Sequence, residues 1–222
     1  MKFSQTSLLA VLALLVVVAV QAPADAAAAT CRGRQATIVG TAGSDKLTGT
    51  NRRDVIAGLG GNDTIAGNGK GDIICGDGDK DSIEGGRGVD LINSARGDDR
   101  VRGGPKGDTV RGGSGDDTVA GGKGGDRVSG GVGRDTVKGD KGGDRTSGGK
   151  SADALSGGSG NDFLYGSAGN DVEVGGPGAD HMLGGVGDDN LDGVDGAPGD
   201  FLRAGNGQDR CTADRGDTKD SC

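Results

Sequence analysis

The sequence predicts an all-β solenoid, and three observations on its 222 residues predict it. Gly supplies 51 of them, while Trp is absent, Phe numbers 3 and Tyr 1, too few large side chains for an ordinary globular core. An Asp recurs every nine residues from Asp45 to Asp189, 17 times in 17 positions. Two residues after each Asp stands an apolar residue, broken only at Thr146 and Glu173. A nine-residue period with one apolar residue per unit is not an amphipathic helix, which needs roughly three or four in every two turns. It is also too regular for a disordered chain, and Gly lacks the strict three-residue period of collagen. Short stacked repeats are what remains.

The chain opens on Lys2 and an apolar run from Leu8 to Val20, followed by Ala24-Asp25-Ala26 and Ala27-Ala28-Ala29. A basic start, an apolar stretch of this length and small-residue A-x-A sites read as a secretory signal peptide over residues 1–29. The run is short for a membrane span, which needs about 20 apolar residues. Residues 30–37 are then expected to cap the repeats, residues 38–211 to form the solenoid, and residues 212–222 to be a tail closed by a disulfide. Four cysteines in an exported chain imply two disulfides. Three connectivities are open; the local pairing, Cys31–Cys75 with Cys211–Cys222, is the one expected, because it would pin both ends of the roll.

Each unit has two parts. The stretch before the Asp, as in Gly112-Gly113-Ser114-Gly115-Asp116-Asp117, is a turn, because glycines accept positive φ without steric cost. The stretch after it, as in Thr118-Val119-Ala120, is a short strand whose middle side chain points inward. Two units make one coil of 18 residues, so Asp117 and Asp135 lie on the same edge. Near Asp195 to Pro198 an insertion shifts the phase, which Asp200 and Asp209 resume.

The pattern Gly-Gly-x-Gly-x-Asp-x-apolar-x, complete before Asp90, Asp117, Asp126, Asp135, Asp162, Asp180 and Asp189, resembles the haemolysin-type (RTX) calcium-binding repeat. The resemblance covers residues 38 to about 211. It implies a right-handed parallel β-roll of nine or ten coils, about 45 Å long at about 4.8 Å per coil. It also implies Ca²⁺ held between stacked turns by repeat aspartates and backbone carbonyls. The chemistry agrees: a column of carboxylates about 4.8 Å apart repels itself and suits a hard cation taking several oxygen ligands. Mg²⁺ demands tighter geometry, and Zn²⁺ lacks its preferred ligands here.

The residues expected to hold several Ca²⁺ ions are Asp117, Asp135, Asp171 and Asp189 on one edge. On the other they are Asp126, Asp144, Asp162 and Asp180, with Asp63 and Asp90 added as further sites. The amino-terminal turns are weaker candidates. They replace glycines by Thr41, Thr50, Leu59, Asn68 and Asp77, and by Arg52, Lys70 and Asp79, which resist left-handed geometry. Lys or Arg side chains are expected to neutralise carboxylates there instead.

Catalysis is not expected, with His181 the single His and no cysteine left free to act as a nucleophile. His181 reads as an outward surface residue. The net charge of −8 argues against nucleic acid, and Lys and Arg are scattered rather than gathered into a patch. The leading reading is an exported, monomeric, non-catalytic calcium-binding repeat protein, secreted to the extracellular space. The alternative is an extracellular structural or adhesive protein with a cell-surface, cell-wall or matrix partner. Identical outward rows would favour it, and the variable residues after each Asp (Lys46, Val55, Thr64, Ile73, Ser82, Leu91, Arg100) weaken it. A repeat tail detached from a secreted protease or lipase is a third class, disfavoured by the amino-terminal export signal.

Overall fold

A computed structural model describes residues 29–222. Apart from Ala29, the segment expected to be a signal peptide lies outside them. Short strands fall alternately into two parallel sheets, one of ten strands and one of eleven. Register advances by one coil at every step: Val101 pairs with Val119 and Val119 with Val137 in the first sheet, Val110 with Val128 in the second. This is a parallel β-roll, as the nine-residue period predicts. No helix among the described residues is long and apolar enough to cross a membrane.

Inward residues of both sheets form a single core running from Leu47 to Leu202. Ile65 and Ile83 pair in register and are both buried in it. Every apolar residue of the predicted row is buried, each contributing about 1.5–3 kcal/mol. A strand shows one face to the core and one to water, so Val110 is buried while Arg111 beside it is exposed. The inserted residues lengthen the roll locally: the Asp180 amide bonds to Asp200 and the Asp189 amide to Asp209, each 20 residues on, where the pairs before them are 18 apart.

The roll begins with Ile38–Val39 and runs beyond Cys211, because Thr218–Asp220 pairs with Phe201–Arg203 as the last strand of the larger sheet. Cys211 and Cys222 are disulfide-bonded across this final coil, and Cys31 is bonded to Cys75. The amino-terminal segment, expected to cap the repeats, is built on a short hairpin. Thr30–Cys31 and Arg34–Gln35 form an antiparallel hairpin. Cys31 packs on Ile73, Cys75, Val55 and Leu91, which stand one or three residues after a repeat Asp. Those are outward positions, so the hairpin covers the outer face of the eleven-stranded sheet. It explains why apolar residues occupy outward positions at this end.

Candidate metal centre

Each strand presents Asp, apolar residue and Gly inward in alternation, as with Asp108, Val110 and Gly112. The repeat carboxylates therefore stand inside the roll at its two edges, beneath the turns and out of water. From Asp63 to Asp200 they are at most 3% exposed. Their two oxygens have different surroundings.

Oδ1 carries the backbone ladder past the turn. It accepts the amide N–H of the Asp one coil earlier, in 17 successive pairs from Asp45–Asp63 to Asp189–Asp209, at 2.6–2.9 Å. This calls for an Asp or Asn in every unit independently of any ion, a role the sequence pattern did not reveal. Oδ2 is different. In the 16 repeat aspartates from Asp63 to Asp200 it is buried without a hydrogen-bond partner. All ten of Asp63, Asp90, Asp117, Asp126, Asp135, Asp144, Asp162, Asp171, Asp180 and Asp189 belong to this set.

From Asp63 to Asp189 each such oxygen but one faces the Gly five residues earlier, where the space a side chain would fill is lined by oxygen, and Asp200 Oδ2 faces Gly193, seven residues earlier. A Cβ on Gly157 would lie 2.5 Å from Asp162 Oδ2 and 2.7 Å from the Gly175 carbonyl oxygen. On Gly103 it would lie 2.6 Å from both Asp108 Oδ2 and the Gly121 carbonyl. The glycine is needed for this close approach. Ser94, the single departure, sends its hydroxyl to the Gly112 carbonyl at 2.8 Å.

A carboxylate oxygen only accepts, and leaving it buried and unmatched is costly. Burial accordingly pushes the carboxyl groups of Asp81, Asp108, Asp117, Asp153 and Asp180 up to about 7. Those of Asp72, Asp135, Asp144 and Asp189 rise to about 6 for the same reason. Amide donation to Oδ1 offsets part of the shift, and for Asp108, Asp117 and Asp153 the aspartates one coil above and below add to it.

The residues fit a hard cation. Among the described residues no three His, Cys, Asp or Glu side chains cluster, so an ion here has to be shared between single carboxylates and backbone carbonyls. That donor set, all oxygen and adaptable in geometry, is the kind Ca²⁺ accepts.

The first two turns are built otherwise. Asp45 Oδ2 takes the N–H and O–H of Thr41 at 2.6 and 2.9 Å, and Asp54 Oδ2 those of Thr50 at 2.7 and 2.9 Å. Thr, β-branched and averse to positive φ, replaces the left-handed glycine and satisfies the carboxylate itself. Lys and Arg form no ion pair with these carboxylates, the one ion pair among the described residues joining Arg203 and Asp220 at 3.5 Å, and the Arg53 charge lowers the Asp72 carboxyl only slightly against the effect of burial. Arg52 and Lys70 are exposed while the carboxylates point inward, so the two cannot meet. Leu59, Asp77, Ala95 and Lys106 do adopt left-handed φ, 76° to 88°, at roughly 1–2 kcal/mol each. Substituted turns therefore keep the geometry, and Asp63, Asp72 and Asp81 keep their free oxygens.

The interruptions of the apolar row stay in the row. Thr146 is buried in register between Val128 and Leu164, and Glu173 between Leu155 and Leu191. Burial raises the Glu173 carboxyl to about 8. His181 lies outward, stacked on Phe163 with ring centroids 4.9 Å apart.

Fold and site together define a class: a parallel β-roll whose two edges hold buried, acceptor-only carboxylates beside backbone carbonyls. Residues 39–197 match, in six stretches of which the first four overlap, the family described as RTX calcium-binding nonapeptide repeat (4 copies). The chain belongs to this family. A comparison with curated proteins gives no match.

Proposed function

We propose that the protein is an exported, non-catalytic calcium-binding repeat protein that completes its folding as its turns take up Ca²⁺. The observation that carries this reading is the series of 16 buried Oδ2 atoms without partners. Ca²⁺, when bound, supplies positive charge opposite them. Asp117, Asp126, Asp135, Asp144, Asp162, Asp171, Asp180 and Asp189, with Asp63 and Asp90, would be ligands, each already oriented by its Oδ1 bond. Asp72, Asp81, Asp99, Asp108, Asp153 and Asp200 have the same free oxygen and join them. Two disulfides fit an oxidising compartment and so support export.

Circular dichroism with and without the ion tests the reading. The stripped protein should be largely unfolded at pH 7.5. Ca²⁺ should restore β-structure cooperatively with a midpoint of about 10⁻⁴–10⁻³ M, and Mg²⁺ at equal concentration should do much less. Full β-structure in excess chelator, unchanged by Ca²⁺, would leave a metal-independent solenoid.

One observation favours the adhesive reading as a second. In the outer face of the larger sheet Arg127, Arg145, Phe163, His181 and Phe201 stand in register. Arg145 lies over the Phe163 ring at 5.1 Å, and His181 lies 5.7 Å from Phe201. Such a strip of rings and guanidinium groups suits an anionic matrix polysaccharide. The Ca²⁺-loaded protein should then co-sediment with an insoluble acidic polysaccharide. Arg145→Ser with Phe163→Ser should abolish that binding and leave the dichroism intact; undiminished binding by the variant would remove the reading.

A further inference from the structure

Glu173 is the residue the repeat pattern explains least. It takes a position filled elsewhere by Ile, Leu, Val, Met or Thr, it is 0% exposed, and neither carboxyl oxygen has a hydrogen bond of full geometry, the nearby Gly166 and Leu183 amides offsetting only part of the cost of its burial. A Leu would pack there between Leu155 and Leu191 without any polar atom to satisfy.

Its carboxyl group is aimed at one place. The space at Gly166 is bounded by Asp171 Oδ2 and the Gly184 carbonyl oxygen, 2.5 and 2.6 Å from where a Cβ would sit, and by Glu173 Oε1 at 2.8 Å. At the equivalent glycines Gly67 and Gly85 the third neighbour is a methyl group, Cδ1 of Ile74 or Ile92, at 3.1 and 3.0 Å. The substitution of Glu for an aliphatic residue thus puts an oxygen where other coils put a methyl group. Only here among the described glycines does a Glu oxygen join an Asp oxygen and a carbonyl in this way.

We propose that Glu173, Asp171 and the Gly184 carbonyl form a distinct cation site inside the roll, with two carboxylates where the other turns offer one at the glycine. The inference rests on the calcium reading and adds to it a position of highest affinity, filled before the rest. A second anionic ligand tightens an all-oxygen site and favours ions of higher charge. Occupation of this site first would order the coils on either side of Val172–Val174, the short strand in which Glu173 lies.

The chain carries its own probe. Tyr165, the single Tyr of a sequence without Trp, is adjacent to Gly166. Energy transfer from tyrosine to Tb³⁺ falls steeply with distance, so excitation of Tyr165 lights ions near this coil in preference to the rest. The full oxidised chain is titrated with Tb³⁺ under tyrosine excitation, and bound Ca²⁺ is counted by calorimetry. Glu173→Gln should move the first luminescence phase to concentrations on the order of tenfold higher and lower the Ca²⁺ count by one. Glu173→Leu, which restores the apolar row and keeps the volume, should do the same while dichroism in saturating Ca²⁺ shows an intact fold. Glu84→Gln, on the outer face, should leave the titration unchanged. Curves of both Glu173 variants that overlay the wild type, with greater stability of Glu173→Leu in chelator, would make Glu173 a neutral core acid and overturn the site. Wild-type protein that neither binds Ca²⁺ nor responds to Tb³⁺ would instead overturn the calcium reading itself.

Discussion

Replacing Asp126, Asp144 and Asp162 together by Asn should stabilise the calcium-free protein and weaken its response to calcium. The two effects come from the two oxygens. Asn keeps Oδ1 and so keeps the bonds from the amides of Asp108, Asp126 and Asp144, at 2.6–2.7 Å in the native chain. It removes three buried charges from a column that opposes its own folding. In chelator the variant should therefore show more β-structure than the wild type. In Ca²⁺ it lacks the anionic ligand at three consecutive turns of one edge, and the midpoint should rise on the order of tenfold. Asp→Ala at the same positions is a different experiment. It leaves three buried amides unpaired at about 1–3 kcal/mol each, and should destabilise the protein with and without calcium. Asp45→Asn with Asp54→Asn should shift the calcium midpoint little, since Thr41 and Thr50 already occupy those carboxylates. A calcium midpoint unchanged in the triple Asn variant would mean that the repeat carboxylates serve the ladder alone.

That contrast shows how far the sequence could be read. The nine-residue period, the inward apolar row and the two disulfides were all legible, because each is a matter of residue type at a fixed spacing. The ten carboxylates expected as ligands are part of a longer series, since Asp72, Asp81, Asp99, Asp108, Asp153 and Asp200 keep the same free oxygen although their turns depart from the pattern. What spacing did not show was direction. Asp reads as a column along each edge, and it stands within that edge, out of water, since the two-residue alternation that points Val110 inward must point Asp108 inward too. The Gly five residues before Asp was legible as a turn residue. Its tighter requirement, room for a carboxylate oxygen and a carbonyl of the next coil, needed the stacking. The role of Thr41 and Thr50 was hidden for a similar reason. A Thr in place of Gly reads as a defect in the turn, and the hydroxyl that repairs it appears only once the carboxylate is seen turned toward it. The hairpin over Ile73 and Leu91 was illegible because non-local packing, not local pattern, places it.

Acidification should fold the calcium-stripped protein. In the folded chain burial holds the carboxyl groups of Asp81, Asp108, Asp117, Asp153 and Asp180 at about 7 and the Glu173 carboxyl at about 8. In the unfolded chain they return to ordinary values, 3.8 for Asp and 4.5 for Glu. Between these limits the folded state binds more protons than the unfolded one. Stability then falls as pH rises through the window and grows as pH falls through it, the reverse of a salt-bridged carboxylate. Calcium-stripped protein, largely unfolded at pH 7.5, should gain β-structure on titration toward pH 5, and the gain should level off near pH 4, where the unfolded carboxylates protonate as well. Protons and calcium compete for the same oxygens, so the calcium affinity of the folded protein should weaken over the same range. The triple Asn variant, with three fewer titrating carboxyls, should follow a shallower curve. Dichroism of the stripped wild type against pH measures all of this at once. A stripped protein that is folded at pH 7.5 and loses structure toward pH 5 would show that its carboxylates are stabilised as anions by the protein itself, and would leave no demand for a cation in the turns.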